Sequence, residues 1–487
     1  MTEHRLFIDG GWEDGASSRE ILSPFSGKAV ARCAQASPEQ LERALAAAER
    51  DGKAFRKISR YARSRLLAAM ARGIERRRAE LSACIVSEAG KPVTLADGEA
   101  GRATSTFTLA AEEAKRLGGE VVPVDLDSAG RAFAPAVSHW APRGPVLAIA
   151  PFNFPLNLVA HKVAPALAVG ASVIVKPPPQ APGAARILAE IFQEAAGEAS
   201  DARETIPPAA LQVLSGSNDV VGRAVLDPRI AILSFTGSDK AGWLLQGQAV
   251  RKKVLLELGG NAAVIVEADA DLARAAARCA YGAFAYAGQV CISVQRILVR
   301  KEAAARFTEL LLAETAKIQC GDPARPEVLA GPLIDAAAAD RVAAWIEESR
   351  RDGAKVLCGG ARAGNVIAPA VVAGVKPSAK LSCEEVFGPV ATVGEYASLD
   401  EAIAAVNASR FGLQAGLFAG SAASIRRAAD ELEVGGLLVN EVPTYRADNL
   451  PYGGLKDSGL GREGVRYAME EYCERRTVVE WRGEGRP

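Results

Sequence analysis

Apolar residues recur along the chain with two different periods, and the change of period predicts where helices give way to strands. Residues 37–90 have helical spacing, with Ser37 predicted as an N-cap, Pro38 as the first helical residue and Gln40 as its capping-box partner. The later run RSRLLAAMARGIERRRAELSACI predicts one further amphipathic helix. The earlier runs LFIDGGW and SPFSGKAV are typical of short strands and turns.

Short continuous apolar runs then alternate with helical segments such as residues 181–197. The runs are PVLAIAP (145–151), ASVIVKP (171–177), ALQVLSG (210–216), IAILSFTG (230–237) and KKVLLELGG (252–260). Strands of this kind indicate a parallel sheet covered on both faces, hence an α/β fold. Ligands of such folds bind beyond the carboxyl ends of the strands, so the polar and Gly-rich residues that end these runs are the first candidates for a site.

A second α/β pattern covers residues 271–430, and two further segments flank these regions. GGEVVPVDLD and RAFAPAVSHWAPRG alternate apolar and polar residues and predict a hairpin-like arm. The tail YCERRTVVEWRG predicts a last strand. This strand could pair with the arm of another subunit, which would make the arm an oligomerisation device.

Composition narrows the class of protein. A chain of 487 residues suggests about three domains, and its net charge of zero does not favour nucleic-acid or polybasic membrane binding. Eight Cys without a CxxC pattern and three distant His argue against a metal site. Scattered Cys suit a reducing compartment, and the polar N-terminal run MTEHRLFIDGGWEDG does not resemble a signal peptide, so we expect a cytoplasmic protein.

Two Gly-rich segments are candidate phosphate-binding loops. A GxGxxG pattern at Gly459, Gly461 and Gly464 follows a loop and not a strand, so it favours a turn that enters a helix. SFTGSDKAG is the better candidate, because a strand ends at Phe235 and a helix opens after Gly237. Free N–H groups at such a helix start would suit a pyrophosphate.

Three polar residues stand at junctions between predicted elements. Cys291, in YAGQVCISVQR, is a candidate nucleophile, although most Cys are structural. Glu257 ends an apolar run, where burial would raise its pKa toward that of a general base; the alternative is a cap for the next turn. Asn153, in PFNFP, could donate its amide to an oxyanion, or simply form a turn before Pro155.

Together the segments PFNFP, VIVKP, FTGS, ELGG, GQVCIS, EEVFGPV and PYGGLKDSG resemble the NAD(P)-dependent aldehyde dehydrogenase superfamily, in its order and at its spacings. GQVCISVQR and VPTYRADNLPYGG are similar to its lactaldehyde dehydrogenase-like branch. The resemblance implies a Rossmann-type cofactor domain, an α/β catalytic domain and a small β oligomerisation arm. The implied boundaries are 1–120 and 143–256 for the cofactor domain, 257–455 for the catalytic domain, and 121–142 with 471–487 for the arm.

The resemblance also implies roles for matching positions. Cys291 would attack the aldehyde to give a thiohemiacetal, whose oxyanion Asn153 holds. Hydride transfer would leave a thioester, and Glu257 would activate the water that hydrolyses it, with Lys162 and Glu463 relaying protons. The implied cofactor-binding positions are Ala150, Pro151, Phe152, Lys176, Pro179, Gly216, Phe235, Thr236, Gly237, Ser238, Leu258, Glu385 and Phe387.

Substrate recognition is implied by position above the nucleophile. Arg446 would clamp a carboxylate, phosphate or phosphonate, or instead pair locally with Asp448 or Glu441 at the surface. His161 would bind a substrate hydroxyl, or pack in the wall of the funnel. The implied substrate-lining positions are Asn157, His161, Val290, Ile292, Tyr445 and Arg446.

One departure from the family pattern concerns the cofactor. The Glu that usually follows the VxKP lysine, on the ribose hydroxyls, is Pro179 here, so we expect NADP to be accepted, with NAD still allowed. The sequence thus predicts a cytoplasmic homodimer or homotetramer that oxidises a small hydroxylated or anionic aldehyde with NADP or NAD. The alternatives are a non-catalytic binding member of the family, or an ester hydrolase that uses the same Cys.

Overall fold

The computed structural model describes residues 1–482, so residues 483–487 of the predicted arm lie outside the described part of the chain. The helices are α1 (Pro38–Phe55), α2 (Arg60–Arg76), α3 (Arg78–Ala89), α4 (Val93–Arg116), α5 (Asn157–Val169), α6 (Gly183–Ala199), α7 (Asn218–Leu226), α8 (Asp239–Gln248), α9 (Leu272–Phe284), α10 (Lys301–Thr315), α11 (Ala336–Arg351), α12 (Lys380–Cys383), α13 (Leu399–Asn407), α14 (Ala422–Glu431) and α15 (Val465–Glu471). Short 3₁₀ turns lie at Gly130–Ala132, Pro208–Ala210 and Ala285–Gly288.

Strands and helices alternate through most of the chain, as an α/β fold requires. The strands are β1 (Thr2–His4), β2 (Leu6–Ile8), β3 (Gly11–Glu13), β4 (Ser17–Leu22), β5 (Ala29–Gln35), β6 (Glu120–Val122), β7 (Ala136–Pro142), β8 (Val146–Ile149), β9 (Val173–Lys176), β10 (Leu211–Val213), β11 (Ile232–Thr236), β12 (Lys253–Glu257), β13 (Ala263–Val266), β14 (Arg296–Arg300), β15 (Gln319–Cys320), β16 (Val328–Ala330), β17 (Lys355–Cys358), β18 (Arg362–Ala363), β19 (Val366–Ile367), β20 (Ala370–Ala373), β21 (Val390–Tyr396), β22 (Phe411–Gly412), β23 (Gln414–Phe418), β24 (Gly436–Val439), β25 (Leu455–Lys456), β26 (Gly459–Leu460) and β27 (Cys473–Val478).

Two large sheets organise the fold. The first has eight strands in the order β26-β12-β11-β8-β9-β10-β2-β3, with its five central strands parallel. The second has seven strands in the order β17-β20-β21-β14-β13-β23-β24, all parallel except β17. The α/β expectation is therefore confirmed. The five apolar runs form β8 to β12, whose burial on both faces explains their continuous hydrophobicity.

Helix starts follow the sequence closely, but one predicted helix is divided. Ser37 caps α1 in a capping box, with its side chain accepting the Gln40 N–H at 3.2 Å. The single helix expected after residue 60 is two helices, α2 and α3, because Arg77 leaves helical geometry at φ −100° and ψ 17°. Its guanidinium bridges Glu80 and Glu190, which ties the break to the neighbouring α6.

The arm is a three-stranded antiparallel sheet in the order β27-β7-β6. The interpretation of the tail as a strand that pairs with another subunit is corrected here, since β27 pairs with β7 of its own chain from Cys473 to Val478. An ion pair of 2.6 Å between Arg143 and Glu474 fixes the start of that pairing. Within residues 1–482, no helix combines the length and the hydropathy needed to cross a membrane.

Candidate active site

A cavity of about 570 Å³ opens beyond the carboxyl ends of β11 and β12, where the parallel sheet predicts a ligand site. It brings together Asn153, Glu257 and Cys291 from three distant parts of the sequence. We call it the strand-end cavity. Its lining also includes the cofactor candidates Pro151, Phe152, Thr236, Gly237, Ser238, Leu258, Glu385 and Phe387.

Cys291 lies half-buried in this cavity, just after three consecutive left-handed residues. Tyr286, Ala287 and Gly288 have φ values of 54°, 52° and 68°, which turns the chain sharply before the thiol. The Sγ of Cys291 lies 3.1 Å from the hydroxyl oxygen of Tyr452. Burial raises the pKa of the Cys291 thiol to about 12, while the Tyr452 hydrogen bond opposes that rise. The thiol therefore needs further positive charge nearby to ionise at neutral pH.

Glu257 is the last residue of β12 and is 5% exposed. Its Oε2 has no hydrogen-bond partner within the described residues. Burial, followed by the charge of Glu463, holds the pKa of Glu257 well above its usual value. A buried carboxylate that keeps a free oxygen and a raised pKa has the properties of a general base.

Asn153 is buried beside the nucleophile loop. Its Nδ2 donates to the carbonyl oxygen of Gln289 at 2.9 Å, two residues before Cys291. A primary amide has two N–H bonds, so this contact leaves the second one for another acceptor. The arrangement is that of an oxyanion donor held next to a thiol.

The GxGxxG segment forms an edge strand followed by a helix, and the sequence predicted only the helix. A helix, α15, begins at Val465 as expected, but Gly459 and Leu460 also form the edge strand β26 against β12. This pairing places Glu463 close to Glu257. Glu463 accepts from Lys162 Nζ at 2.9 Å, and although burial acts to raise the pKa of Glu463, the charges of Lys162 and Arg446 lower it.

The turn after β11 forms a cradle for a phosphate or a ring. Ser238 caps α8 and accepts the Ala241 N–H at 3.3 Å, and the start of this helix, from Ser238 to Lys240, lines the strand-end cavity. A Cβ at Gly237 would lie 2.6 Å from the Phe235 ring, so the close approach of backbone requires Gly. These features fit a dinucleotide.

The remaining cofactor candidates lie at neighbouring strand ends. Lys176 ends β9, and burial together with the charge of Arg19 lowers its pKa to about 8. Burial raises the pKa of Glu385 to about 7, while the N–H of Gly260, at 3.1 Å, opposes that rise. Ala150 and Phe235 are buried, Gly216 is half-buried, Pro179 is exposed, and the Phe387 ring stacks edge-on against Phe152 at 5.9 Å.

A set of paired ionisable side chains lies next to Glu257 and Tyr452. Arg446 donates to Glu463 at 3.1 Å and covers the Tyr452 ring at 3.8 Å. His161 Nε2 lies 2.9 Å from Asp448, and Arg102 binds the same carboxylate at 2.6 Å. We call this set the charge-paired wall; its members are Lys162, Glu463, Arg446, His161, Asp448 and Arg102.

The alternative that Arg446 pairs with Asp448 or Glu441 at the surface is wrong. The Arg446 side chain is 8% exposed, and its ion-pair partner is Glu463. Glu441 instead pairs with Arg274 and Arg278. The other substrate candidates divide by burial. Asn157 and Ile292 are buried, Val290 is half-buried and Tyr445 is half exposed.

Sequence reasoning missed several residues of the site. Tyr452 stood in a recognised motif, PYGG, without a role, and no motif marked Arg102, which lies in α4. Lys91 and Glu99 are fully buried and contact the Asn153 loop. The available signal in the sequence was a Lys and a Glu close together at the start of the Ala-rich helix α4. Charged residues are rarely buried unless they are paired, so a pair among apolar neighbours suggests a buried contact.

Comparisons with known proteins agree with this geometry. Residues 12–478 match the model of the aldehyde dehydrogenase family. The chain is 39% identical over 480 residues to 3-sulfolactaldehyde dehydrogenase of Priestia megaterium, covering 98% of each chain. It is 36% identical over 475 residues to a lactaldehyde dehydrogenase of Methanococcus maripaludis, covering 97% of this chain and 99% of that protein.

A solved structure shares the whole architecture. Glyceraldehyde-3-phosphate dehydrogenase of Methanocaldococcus jannaschii, crystallised with NADP, superposes with a TM-score of 0.90 at 34% identity, covering 95% of this chain and 98% of that one. The strand-end cavity, the buried glutamate and the half-buried thiol thus occur in a chain whose sequence and fold match over nearly their full length. The chain belongs to the aldehyde dehydrogenase family.

Proposed function

We propose that Cys291 is the nucleophile of an NAD(P)-dependent aldehyde oxidation. The observation that carries this is the meeting of a thiol, a free amide N–H and an unpaired buried carboxylate in one cavity. Attack of the Cys291 thiolate on the aldehyde carbon gives a thiohemiacetal. The amide of Asn153 and the backbone N–H of Cys291 hold its oxyanion.

The second half of the reaction is hydrolysis. A bound NAD(P)⁺ would supply the hydride acceptor that oxidation of the thiohemiacetal to a thioester requires. Glu257 then takes a proton from the attacking water, and the tetrahedral intermediate collapses to the carboxylic acid and the Cys291 thiolate. The contact between Lys162 and Glu463 supports a relay that carries this proton away from Glu257.

The residues of the strand-end cavity support the binding of the dinucleotide. The α8 start and Gly237 suit the pyrophosphate and nicotinamide region, and Glu385 with Phe387 suits the nicotinamide ribose. Pro179 leaves no carboxylate to repel a 2′-phosphate, and the charges of Lys176 and Arg19 favour one. We therefore assign NADP as the preferred cofactor, with NAD as a weaker alternative.

We propose a hydroxylated three-carbon aldehyde with an anionic group, of the 3-sulfolactaldehyde type, as substrate. Support comes from the relatives' named substrates and from the charge-paired wall, which contains Arg446 and the 31% exposed Arg102. A guanidinium can bind sulfonate, phosphate or carboxylate oxygens in pairs. His161 stays neutral because burial lowers its pKa, so it suits a substrate hydroxyl.

We propose that residues 1–120 and 143–256 bind the cofactor, that residues 257–455 carry the catalytic domain, and that the arm forms contacts between subunits. The outer edge of β6 has no partner strand among the described residues. We propose that this edge joins a second copy, giving a homodimer or homotetramer in the cytoplasm, which analytical ultracentrifugation tests with Val121→Lys as the disrupting variant. Exposed apolar residues on the arm support this: Val121, Val122, Val137, Val478 and Trp481.

The test of the activity is the initial rate of NADPH and NADH formation with a panel of aldehydes. The panel holds propanal, lactaldehyde, glyceraldehyde 3-phosphate, succinate semialdehyde and 3-sulfolactaldehyde. Cys291→Ala should abolish turnover, and Cys320→Ala, which removes an exposed thiol outside the strand-end cavity, should keep it. Turnover that survives in Cys291→Ala would overturn the mechanism. Ester cleavage faster than aldehyde oxidation would identify a hydrolase instead.

A further inference from the structure

A buried ion pair lies behind the proposed oxyanion donor, outside the strand-end cavity. Lys91 Nζ and Glu99 Oε2 are 2.7 Å apart, and the two side chains are 1% and 0% exposed. Lys91 precedes α4 and Glu99 lies within it. We call the pair the Lys91–Glu99 clamp.

Both members of the clamp bind the backbone around Asn153. Lys91 Nζ donates to the carbonyl oxygen of Asn153 at 2.9 Å. Glu99 Oε1 accepts the N–H groups of Leu156 and Asn157 at 2.9 and 3.0 Å, where α5 begins. Together the two side chains fix both ends of the segment from Asn153 to Asn157.

The clamp also touches the loop that precedes the nucleophile. Lys91 Nζ lies 3.3 Å from the centre of the Phe154 ring and 4.8 Å from that of Tyr286, the first residue of the left-handed turn. The Tyr286 hydroxyl donates to the carbonyl oxygen of Ala89 at 3.2 Å, two residues before Lys91. One ammonium group therefore contacts both chain segments that form the oxyanion site.

Stability alone gives a weak reason for such a pair. Replacing a buried ion pair by apolar residues of similar volume is often neutral or stabilising, because desolvation offsets the attraction. What an ion pair adds is fixed geometry, and an oxyanion donor loses its effect when it is displaced by about 1 Å. The contacts to the Asn153 loop supply such a fixed geometry.

We propose that Lys91 and Glu99 are positioning residues, which hold the Asn153 amide where the thiohemiacetal oxyanion forms. The proposal rests on the proposed roles of Cys291 and Asn153. It predicts that loss of the clamp lowers kcat and leaves the thiol accessible and the fold intact.

The experiment compares five variants of the full-length enzyme: Lys91→Met, Glu99→Gln, the double variant Lys91→Met with Glu99→Gln, Asn153→Ala, and the double variant combined with Asn153→Ala. The double variant keeps the fold testable, since it leaves no unpaired charge behind. Asp51→Asn is the matched control. It also changes a buried carboxylate that accepts a backbone N–H and pairs with an arginine, but Asp51 lies at the end of α1 beside the amino end of β9.

Three quantities are measured: kcat at saturating cofactor and aldehyde, the rate of Cys291 alkylation by iodoacetamide, and the thermal midpoint. Removing an oxyanion donor lowers kcat by roughly 100- to 1,000-fold, so we expect about a 10- to 100-fold fall for the double variant. Alkylation of Cys291 should proceed at the wild-type rate, because it forms no oxyanion. Asp51→Asn should keep the wild-type kcat.

The Asn153→Ala background separates the two proposals. There the double substitution should lower kcat by less than about 3-fold, because an absent amide has no position to lose. A full further loss in that background, or an unchanged kcat in the double variant with Asn153 intact, would overturn the clamp. Wild-type kcat in Asn153→Ala alone would instead overturn the proposed role of Asn153.

Discussion

The strand-end cavity and the charge-paired wall differ in whether their buried carboxylates are paired with a cation. In the strand-end cavity, Glu257 and Glu385 have no cation within salt-bridge distance among the described residues, and burial raises the pKa of both. In the charge-paired wall, Glu463 and Asp448 each bind a cation, and although burial acts to raise each pKa, their partners lower it. Burial alone therefore does not decide the state of a carboxylate; the partner does.

This difference matches two tasks. A carboxylate with a raised pKa can take up and release a proton near neutral pH, as hydrolysis of a thioester requires. A carboxylate locked in an ion pair keeps its charge and its geometry, as the wall of a binding site requires. Substitutions of these carboxylates test whether the strand-end cavity and the charge-paired wall differ as much as their contacts indicate.

Glu257→Gln removes the proposed general base of the strand-end cavity and should have the largest effect. We expect kcat to fall about 100- to 1,000-fold, because general-base catalysis contributes that much to hydrolysis. Acylation does not need this base, so one equivalent of NAD(P)H should still form rapidly. Stopped-flow absorbance would record that burst, and a loss of the burst together with the steady rate would contradict a role limited to hydrolysis.

Glu463→Gln removes the carboxylate that pairs with Lys162 and Arg446 in the charge-paired wall. Lys162 and Arg446 would then lie buried without their shared counter-charge, which destabilises a protein by about 3 kcal/mol. Because partners lower the pKa of Glu463, its stabilisation is present above the ordinary value of 4.5 and is lost as pH falls through its folded value. Thermal unfolding should show a lower midpoint at pH 7 than in the control Glu470→Gln, whose carboxylate pairs with Arg466 on the half-exposed side of α15.

Much of this fold could be predicted from the sequence because its elements are locally determined. The run at Ser37 carried its own cap, and the continuous apolar runs required a parallel sheet buried on both faces. A parallel sheet in turn places its strand ends together, so the candidates Glu257 and Phe235 fell at one edge. Cys291 needed the resemblance, since its local sequence alone did not distinguish it from a structural thiol.

The resemblance brought Lys162 and Glu463 together, but the other pairings of the charge-paired wall could not be predicted from the sequence. Arg102 and Asp448 meet at a separation of 346 residues, and no periodic pattern encodes such a contact. Arg446 was expected to face an anionic substrate or the surface, and its burial against Glu463 follows from the edge strand β26. Non-local pairs of this kind require the tertiary fold.

Pro179→Glu adds an unpaired carboxylate to the cofactor side. The new charge would lie near the proposed 2′-phosphate site and repel it, while it could accept hydrogen bonds from the ribose hydroxyls of NAD. We expect the ratio of kcat/KM for NADP to that for NAD to fall about 10-fold, which corresponds to about 1.4 kcal/mol. Pro179→Gln is the uncharged control, and an equal fall there would show that shape and not charge sets the preference.

The smallest effect expected is the change in thermal stability caused by Glu257→Gln. Its sign should be opposite to that of Glu463→Gln. The folded pKa of Glu257 lies above its ordinary value of 4.5, so its ionisation is resisted by the fold and lowers stability as pH rises past 4.5. Glu257→Gln removes that cost and should raise the thermal midpoint at pH 7 by about 1 °C, which for a chain of this length corresponds to roughly 1 kcal/mol. At pH 4 the two proteins should unfold at nearly the same temperature, because the carboxyl is then largely protonated in both states. Glu463→Gln should show the opposite sign at pH 7, so two variants that lower the midpoint alike would contradict the electrostatic difference between the cavity and the wall.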